Sequence, residues 1–279
     1  MRKSAGKIFF IQFIKSVVFI FVFFGVILVT YLTIMNYYGI DDSGSIKTIA
    51  PVNEKPQLHK ASVDDVSKHL IFSVDEESGE IKKLVLEIFN CRAHRIAYIT
   101  IPIKTQFTLS DSLYRQLVLI KPSIPQSLKL SAITGYFPKE SVYEYGVLMI
   151  EDLLDMRLSY YSVIPEGLYE DIFKTDDLPR GYNDPQNSNR YPGEMFSDDF
   201  LEFLSTIDTE RDLGEYIEKI YNEIDSSLSI GDKLNYLESY IKVPGENISF
   251  EVLVGNESNS EYTVDKLMAY KQIGVYLDE

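Results

Sequence analysis

The sequence predicts an α/β domain, with a central mainly mixed β-sheet flanked by helices, preceded by one transmembrane helix. Three observations predict it. Residues Ser16 to Met35 are an almost unbroken apolar run, about as long as an α-helix needs to cross a ~30 Å hydrocarbon core. From Lys68 onward, β-branched and aromatic segments follow one another at strand length. Beyond them, segments with a helical apolar period alternate with further strands, the pattern of layered α/β domains.

The apolar run, SVVFIFVFFGVILVTYLTIM, is longer than the ~7–15 residues of a signal-peptide core, and no small-x-small cleavage site follows it. An uncleaved anchor is expected. Arg2, Lys3, Lys7 and Lys15 precede the run, while Asp41 and Asp42 follow it. The positive-inside bias therefore keeps residues 1–15 in the cytoplasm, spans the cell membrane once with 16–36, and places the remainder outside. Tyr37 and Tyr38 suit the outer interface. The stretch 37–64 is polar, contains Pro51 and Pro56, and has neither strand nor helix period, so it reads as a tether.

The domain is expected over 65–245. HLIFSV, LVLEIFN and RIAYITIPI read as three strands, separated by the turn DEESGE and a short basic turn around Arg92 to Arg95. Ser110 and Asp111 can cap a helix running toward Leu119. Lys139 to Asp155 predicts a stronger helix, with Tyr145, Leu148, Met149 and Leu153 on one face, and RLSYYSVI follows as a strand. Lys174 to Asp199 is rich in Asp, Asn, Pro and Gly and reads as a long surface loop. The clearest helix follows, with Leu213, Ile217, Ile220, Tyr221 and Ile224 on one stripe and Thr209 with Asp212 at its start. A helix over Gly231 to Ile241, a strand ISFEVLV and a last helix from about Val264 complete the chain, with 246–279 expected as a C-terminal extension packing on the domain.

Composition removes several classes of function. Four of the 27 Lys and Arg residues lie in the first 35 positions, so the remaining 23 face 42 Asp and Glu, a formal charge of −19. That field opposes nucleic acid and anionic headgroups, both of which need a basic footprint. The single cysteine, Cys91, rules out an internal disulfide and reads as a small core or turn residue. His59, His69 and His94 show no ligand spacing, so neither a metal site nor a cofactor is expected. The chain contains no G-x-G-x-x-G, no Walker-type loop and no G-x-S-x-G elbow.

At Ile101-Pro102 and at Asp212-Leu213-Gly214 the chain resembles the LytR-CpsA-Psr family over roughly residues 65 to 245. The resemblance implies membrane-anchored envelope proteins of mainly Gram-positive bacteria, which transfer anionic glycopolymers from a polyprenyl-pyrophosphate carrier to peptidoglycan. The family's first motif opens a strand with Ser-Asp-Thr and ends the next with Ser-Ile-Pro-Arg-Asp-Thr. Here the matching stretch runs from Ile81-Lys82-Lys83 to Thr100-Ile101-Pro102-Ile103-Lys104-Thr105 without a gap. The family's metal-associated Asp falls on Lys82, its Arg on Ile103 and the next Asp on Lys104. Leu128 to Ala132 resembles the family's Lys-Ile-Asn-Ala segment, and Tyr160-Tyr161 its Asp-Tyr-Tyr stretch.

The family's most diagnostic segment sets arginines on both sides of Asp-x-Gly, where their forked charge holds the pyrophosphate. Here those positions are Ser205, Ile207, Glu215 and Glu218, around the retained Asp212. Two carboxylates stand where guanidiniums would. Glu215 and Glu218 also fit an ordinary solvated helix face, with Glu215 and Lys219 spaced as an i, i+4 pair. The resemblance therefore implies a catalytically degenerate envelope protein, accessory to or regulating glycopolymer attachment. Two alternatives stand beside it: an active phosphotransferase whose site is rearranged around Lys82 and Lys104, and an unrelated extracytoplasmic sensor or interaction module. Whether the chain is an enzyme stays open on the sequence. The expected partners are the cytoplasmic membrane together with other envelope proteins or a polyprenyl lipid.

Overall fold

The computed structural model describes residues 60–174, 195–207, 209–258 and 260–277, with Thr30 alone before them. Apart from Thr30, the predicted cytoplasmic segment and transmembrane helix lie outside the described residues, as does the tether up to 59. Among the described residues no helix is long and apolar enough to cross a membrane. The described residues from 60 onward form one compact unit.

Strands β1 (Val66–Val74), β2 (Ile81–Asn90) and β3 (Arg95–Thr100) form the expected antiparallel meander. Its first turn closes on the Asp75 carboxylate, which accepts the Ser78 N–H at 2.8 Å. Gly79 there has φ +71°, in the left-handed region where a Cβ would be strained. Next, β4 (Gln106–Thr108) pairs with β5 (Ser127–Lys129) in a separate ribbon. Between them lies α1 (Asp111–Ile120), whose N-cap Ser110 accepts the Leu113 N–H. Helix α2 (Val142–Leu154) returns the chain to β6 (Tyr160–Pro165), which lies parallel beside β1. Helices α3 (Glu166–Ile172), α4 (Asp198–Thr206) and α5 (Glu210–Tyr221) then lead to the short β7 (Asp225–Ser226). After α6 (Ile230–Leu234) and α7 (Leu237–Ile241), strand β8 (Ile248–Val252) joins parallel to β3. A ribbon of β9 (Gly255–Glu257) and β10 (Tyr262–Val264) precedes α8 (Lys266–Leu277).

The main sheet runs β7-β6-β1-β2-β3-β8, with both parallel and antiparallel neighbours. Strand side chains alternate between its faces. Leu70, Phe72, Leu86, Ile88 and Ile99 pack with Met149, Ile150 and Leu153 of α2 and with Ile273 of α8. The other face carries Ile71, Val85, Ile164 and Phe250 against Tyr169, Phe173 and Phe196. Alternation along β1 and β2 also places His69 and Glu87 on this second face.

Three sequence expectations change. The helix expected over Gly231 to Ile241 is two short helices, because i to i+3 bonds from the Asn235 and Tyr236 N–H groups tighten the chain between them. Lys233 and Tyr236 are thereby both buried. The loop expected over Lys174 to Asp199, of which 175–194 lie outside the described residues, ends in Met195 and Phe196, both buried in the second face. Residues 246–279 do more than pack on the domain: β8 supplies one edge of the main sheet, since its β-branched and aromatic residues pair with β3.

Candidate ligand cavity

Helix α5 begins with a reciprocal capping box in which the Thr209 side chain accepts the Asp212 N–H and the Asp212 carboxylate accepts the Thr209 N–H. This start fixes the rotation of the helix. Of its residues only Gly214 and Ile217 are buried, and Leu213, Ile217, Ile220 and Tyr221 of its apolar stripe face open space between helix and sheet. That space is a cavity of about 470 Å³. Phe200 and Leu204 of α4 wall it together with Ile71, Tyr98 and Ile164 of the sheet. Size and lining are those of a pocket for an apolar small molecule.

One part of the wall is polar. His69, Glu87, Ser162 and Lys233 all line the cavity and are all buried. His69 lies directly across from Glu87 in the register of β1 and β2. Its Nδ1 is 3.4 Å from Glu87 Oε1, and its Nε2 is 2.9 Å from Ser162 Oγ on β6. The imidazole stacks on Tyr160 with ring centroids 4.3 Å apart. Lys233 Nζ donates to the hydroxyls of Tyr160 at 2.9 Å and Tyr240 at 2.7 Å, and Tyr240 donates to Glu87 at 3.1 Å.

These contacts set the protonation states. Burial by itself would raise the Glu87 carboxyl, but the charge of Lys233 and the hydrogen bonds from His69 and Tyr240 outweigh it and hold the group at about 2. Burial drives His69 the other way, below the usual histidine value, so its ring is neutral near pH 7. With Glu87 ionised, the proton of that neutral ring belongs on Nδ1, facing the carboxylate, which leaves Nε2 as an acceptor toward Ser162. Burial and the Glu87 charge together raise the phenols of Tyr98 and Tyr240 well above the tyrosine value.

No family model matches the chain, and no curated protein matches it. Solved structures do. TagV of Bacillus subtilis, a LytR-CpsA-Psr protein, superimposes with a TM-score of 0.50 at 12% identity, over 79% of this chain and 98% of TagV. Protein gbs0355 of Streptococcus agalactiae superimposes with a TM-score of 0.52 at 15% identity, over 77% of this chain and 88% of its own. The chain has the LytR-CpsA-Psr fold.

On the LytR-CpsA-Psr fold the family-equivalent positions separate into two groups. Ile207, at the end of α4, lines the cavity. Ile103 packs half-buried against the core of the opposite face. Lys82 is closed by Glu80 at 2.9 Å and Lys104 by Glu257, and neither lysine lines the cavity. Ser205 is exposed and donates to the Glu202 carbonyl at 2.6 Å. Asp212 belongs to the helix cap. Glu215 and Glu218 are exposed, and Glu215 pairs back with Arg211 at 2.8 Å, where the sequence spacing had suggested Lys219.

The residues that sequence reasoning passed over are His69, Glu87, Ser162 and Lys233. One signal pointed to them: Glu87 interrupts the apolar strand LVLEIFN at a core position, and a carboxylate there needs partners. Those partners, His69, Lys233 and Tyr240, come from β1, α6 and α7, which no local pattern relates.

Proposed function

We propose that this is a membrane-anchored extracytoplasmic protein of bacterial envelope assembly. Its cavity holds the apolar chain of a lipid, and it serves glycopolymer attachment as an accessory or regulator rather than as the transferase. The cavity between α4, α5 and the sheet carries this reading, together with what surrounds it. The four positions at which the family places arginines hold Ser205, Ile207, Glu215 and Glu218, none of which can clasp a pyrophosphate with a forked pair of hydrogen bonds. The alternative site around Lys82 and Lys104 is disfavoured because each ammonium already faces a carboxylate.

The test uses the full chain in detergent. Cis-parinaric acid should be taken up with a rise in fluorescence and displaced by long-chain lipids, while polyprenyl-pyrophosphate-linked glycopolymer should remain untransferred to peptidoglycan. Transfer by the purified protein would overturn the accessory role, and absence of parinaric acid uptake would overturn the lipid cavity.

A further inference from the structure

Ser162, His69 and Glu87 stand in the order nucleophile, base and orienting carboxylate, on three adjacent strands and along one wall of an apolar cavity. We infer that they form a hydrolytic triad, and that the protein cleaves an ester of a long-chain acid whose chain lies in the cavity. The inference rests on the lipid reading above and adds a reaction to it.

The chemistry requires a hydroxyl within reach of an unprotonated nitrogen, and that nitrogen's ring held by an anion on its far side. Both relations are present when the Ser162 hydroxyl donates to His69 Nε2 and not to Ser226 Oγ, which lies at the same 2.9 Å. The 2.9 Å separation between Ser162 Oγ and His69 Nε2 is a full hydrogen-bond distance, and the 3.4 Å between Nδ1 and Glu87 is of the looser kind found before substrate binds. The neutral ring, protonated on Nδ1, is the form a general base needs. Lys233 has a supporting part. It keeps Glu87 anionic, and Glu87 in turn fixes the tautomer of His69.

In the first step Ser162 Oγ bonds to the ester carbonyl carbon while its proton passes to His69 Nε2, and the carbonyl π pair moves onto oxygen. The same cavity wall holds one hydroxyl that could donate to that oxygen. The Tyr221 hydroxyl is buried in the cavity wall without a hydrogen-bond partner. Collapse of the adduct breaks the bond between acyl carbon and alcohol oxygen, and that oxygen takes the proton from His69. Water then attacks the acyl-serine with His69 again as base, releasing the acid and restoring Ser162. One ester and one water become one acid and one alcohol.

A nucleophilic serine and a merely structural one differ in their reactivity toward acylating and phosphonylating reagents. The full chain in detergent is treated with an alkyl fluorophosphonate and mapped by mass spectrometry. A single phosphonyl adduct on Ser162 is expected, as is faster hydrolysis of p-nitrophenyl laurate than of p-nitrophenyl acetate. Ser162→Ala should lose adduct and hydrolysis together, and His69→Gln should lower the rate by about 10²- to 10⁴-fold. Glu87→Gln tests the positioning role: it should lower the plateau rate and move the acid limb of the pH profile to lower pH, because Glu87 favours the protonated ring. Parinaric acid uptake by the wild-type protein without an adduct on Ser162 overturns the triad and leaves the lipid cavity standing. Failure of uptake overturns the lipid reading instead.

Discussion

Lys233 Nζ lies 3.8 Å from Glu87 Oε1, with the two side chains only 10% and 7% exposed. Two charges removed from water at this depth hold each other in place, and removing one strands the other. Lys233→Met should therefore destabilise the domain by about 3–5 kcal/mol, read as a lower midpoint in urea unfolding. The double change Lys233→Met with Glu87→Gln should recover a large part of that loss.

The same cluster sets an acid limit. Glu87 is depressed from 4.5 to about 2 in the folded protein, so its contribution is complete above pH 4.5 and disappears as pH falls from there toward 2. His69 is also depressed, from 6.5, so the unfolded chain binds its proton first and stability already declines as pH drops below 6.5. Urea midpoints measured across pH should show both windows. His69→Asn should remove the upper one, and Glu87→Gln should flatten the lower one, which is worth on the order of 3 kcal/mol at ~1.4 kcal/mol per pH unit.

Ile220 lines the cavity from the stripe of α5 and is only half-buried. A larger ring there has space to occupy. Ile220→Trp should abolish parinaric acid uptake while changing stability by less than about 1.5 kcal/mol, since it fills an existing cavity rather than a packed core.

The capping box of α5 should be measurable through both folding and binding. Thr209→Ala removes the side chain that satisfies the Asp212 N–H and should cost about 1 kcal/mol. Because α5 forms a wall of the cavity, apolar-chain binding should weaken with it, whereas Thr209→Ser should retain both properties.

Guanidiniums introduced at the four family-equivalent positions should create anion binding. A protein carrying Ser205→Arg, Ile207→Arg, Glu215→Arg and Glu218→Arg should bind inorganic pyrophosphate with a salt-sensitive affinity in calorimetry, and the unaltered chain should show none.

Most strands and helices could be read locally, because β-branched and aromatic runs of strand length, or apolar residues at intervals of 3.6, lie within single segments. Val66–Val74, Ile81–Asn90 and the α5 stripe are of this kind. The split between α6 and α7 was not legible, since the tightened turn that makes it buries Lys233 and Tyr236 among partners distant in sequence. The site was legible only as an anomaly. Glu87 in a strand core demands partners, while the three histidines show no ligand spacing and nothing in RLSYYSVI singles out Ser162.

By itself the sequence determined the apolar run at 16–35, the acidic balance beyond it, the order of strands and helices, and the residue types at Ser205, Ile207, Glu215 and Glu218. Each depends on residue type and on spacing within a segment. Tertiary structure decided that the apolar face of α5 borders a cavity instead of a filled core, and that His69, Glu87, Ser162 and Lys233 meet on one wall of it. The physical reason is one of distance along the chain. Glu87 and Lys233 are far apart in sequence, and only the pairing of β1 with β2 and β6, and the packing of α6 across that face, bring the two charges to 3.8 Å.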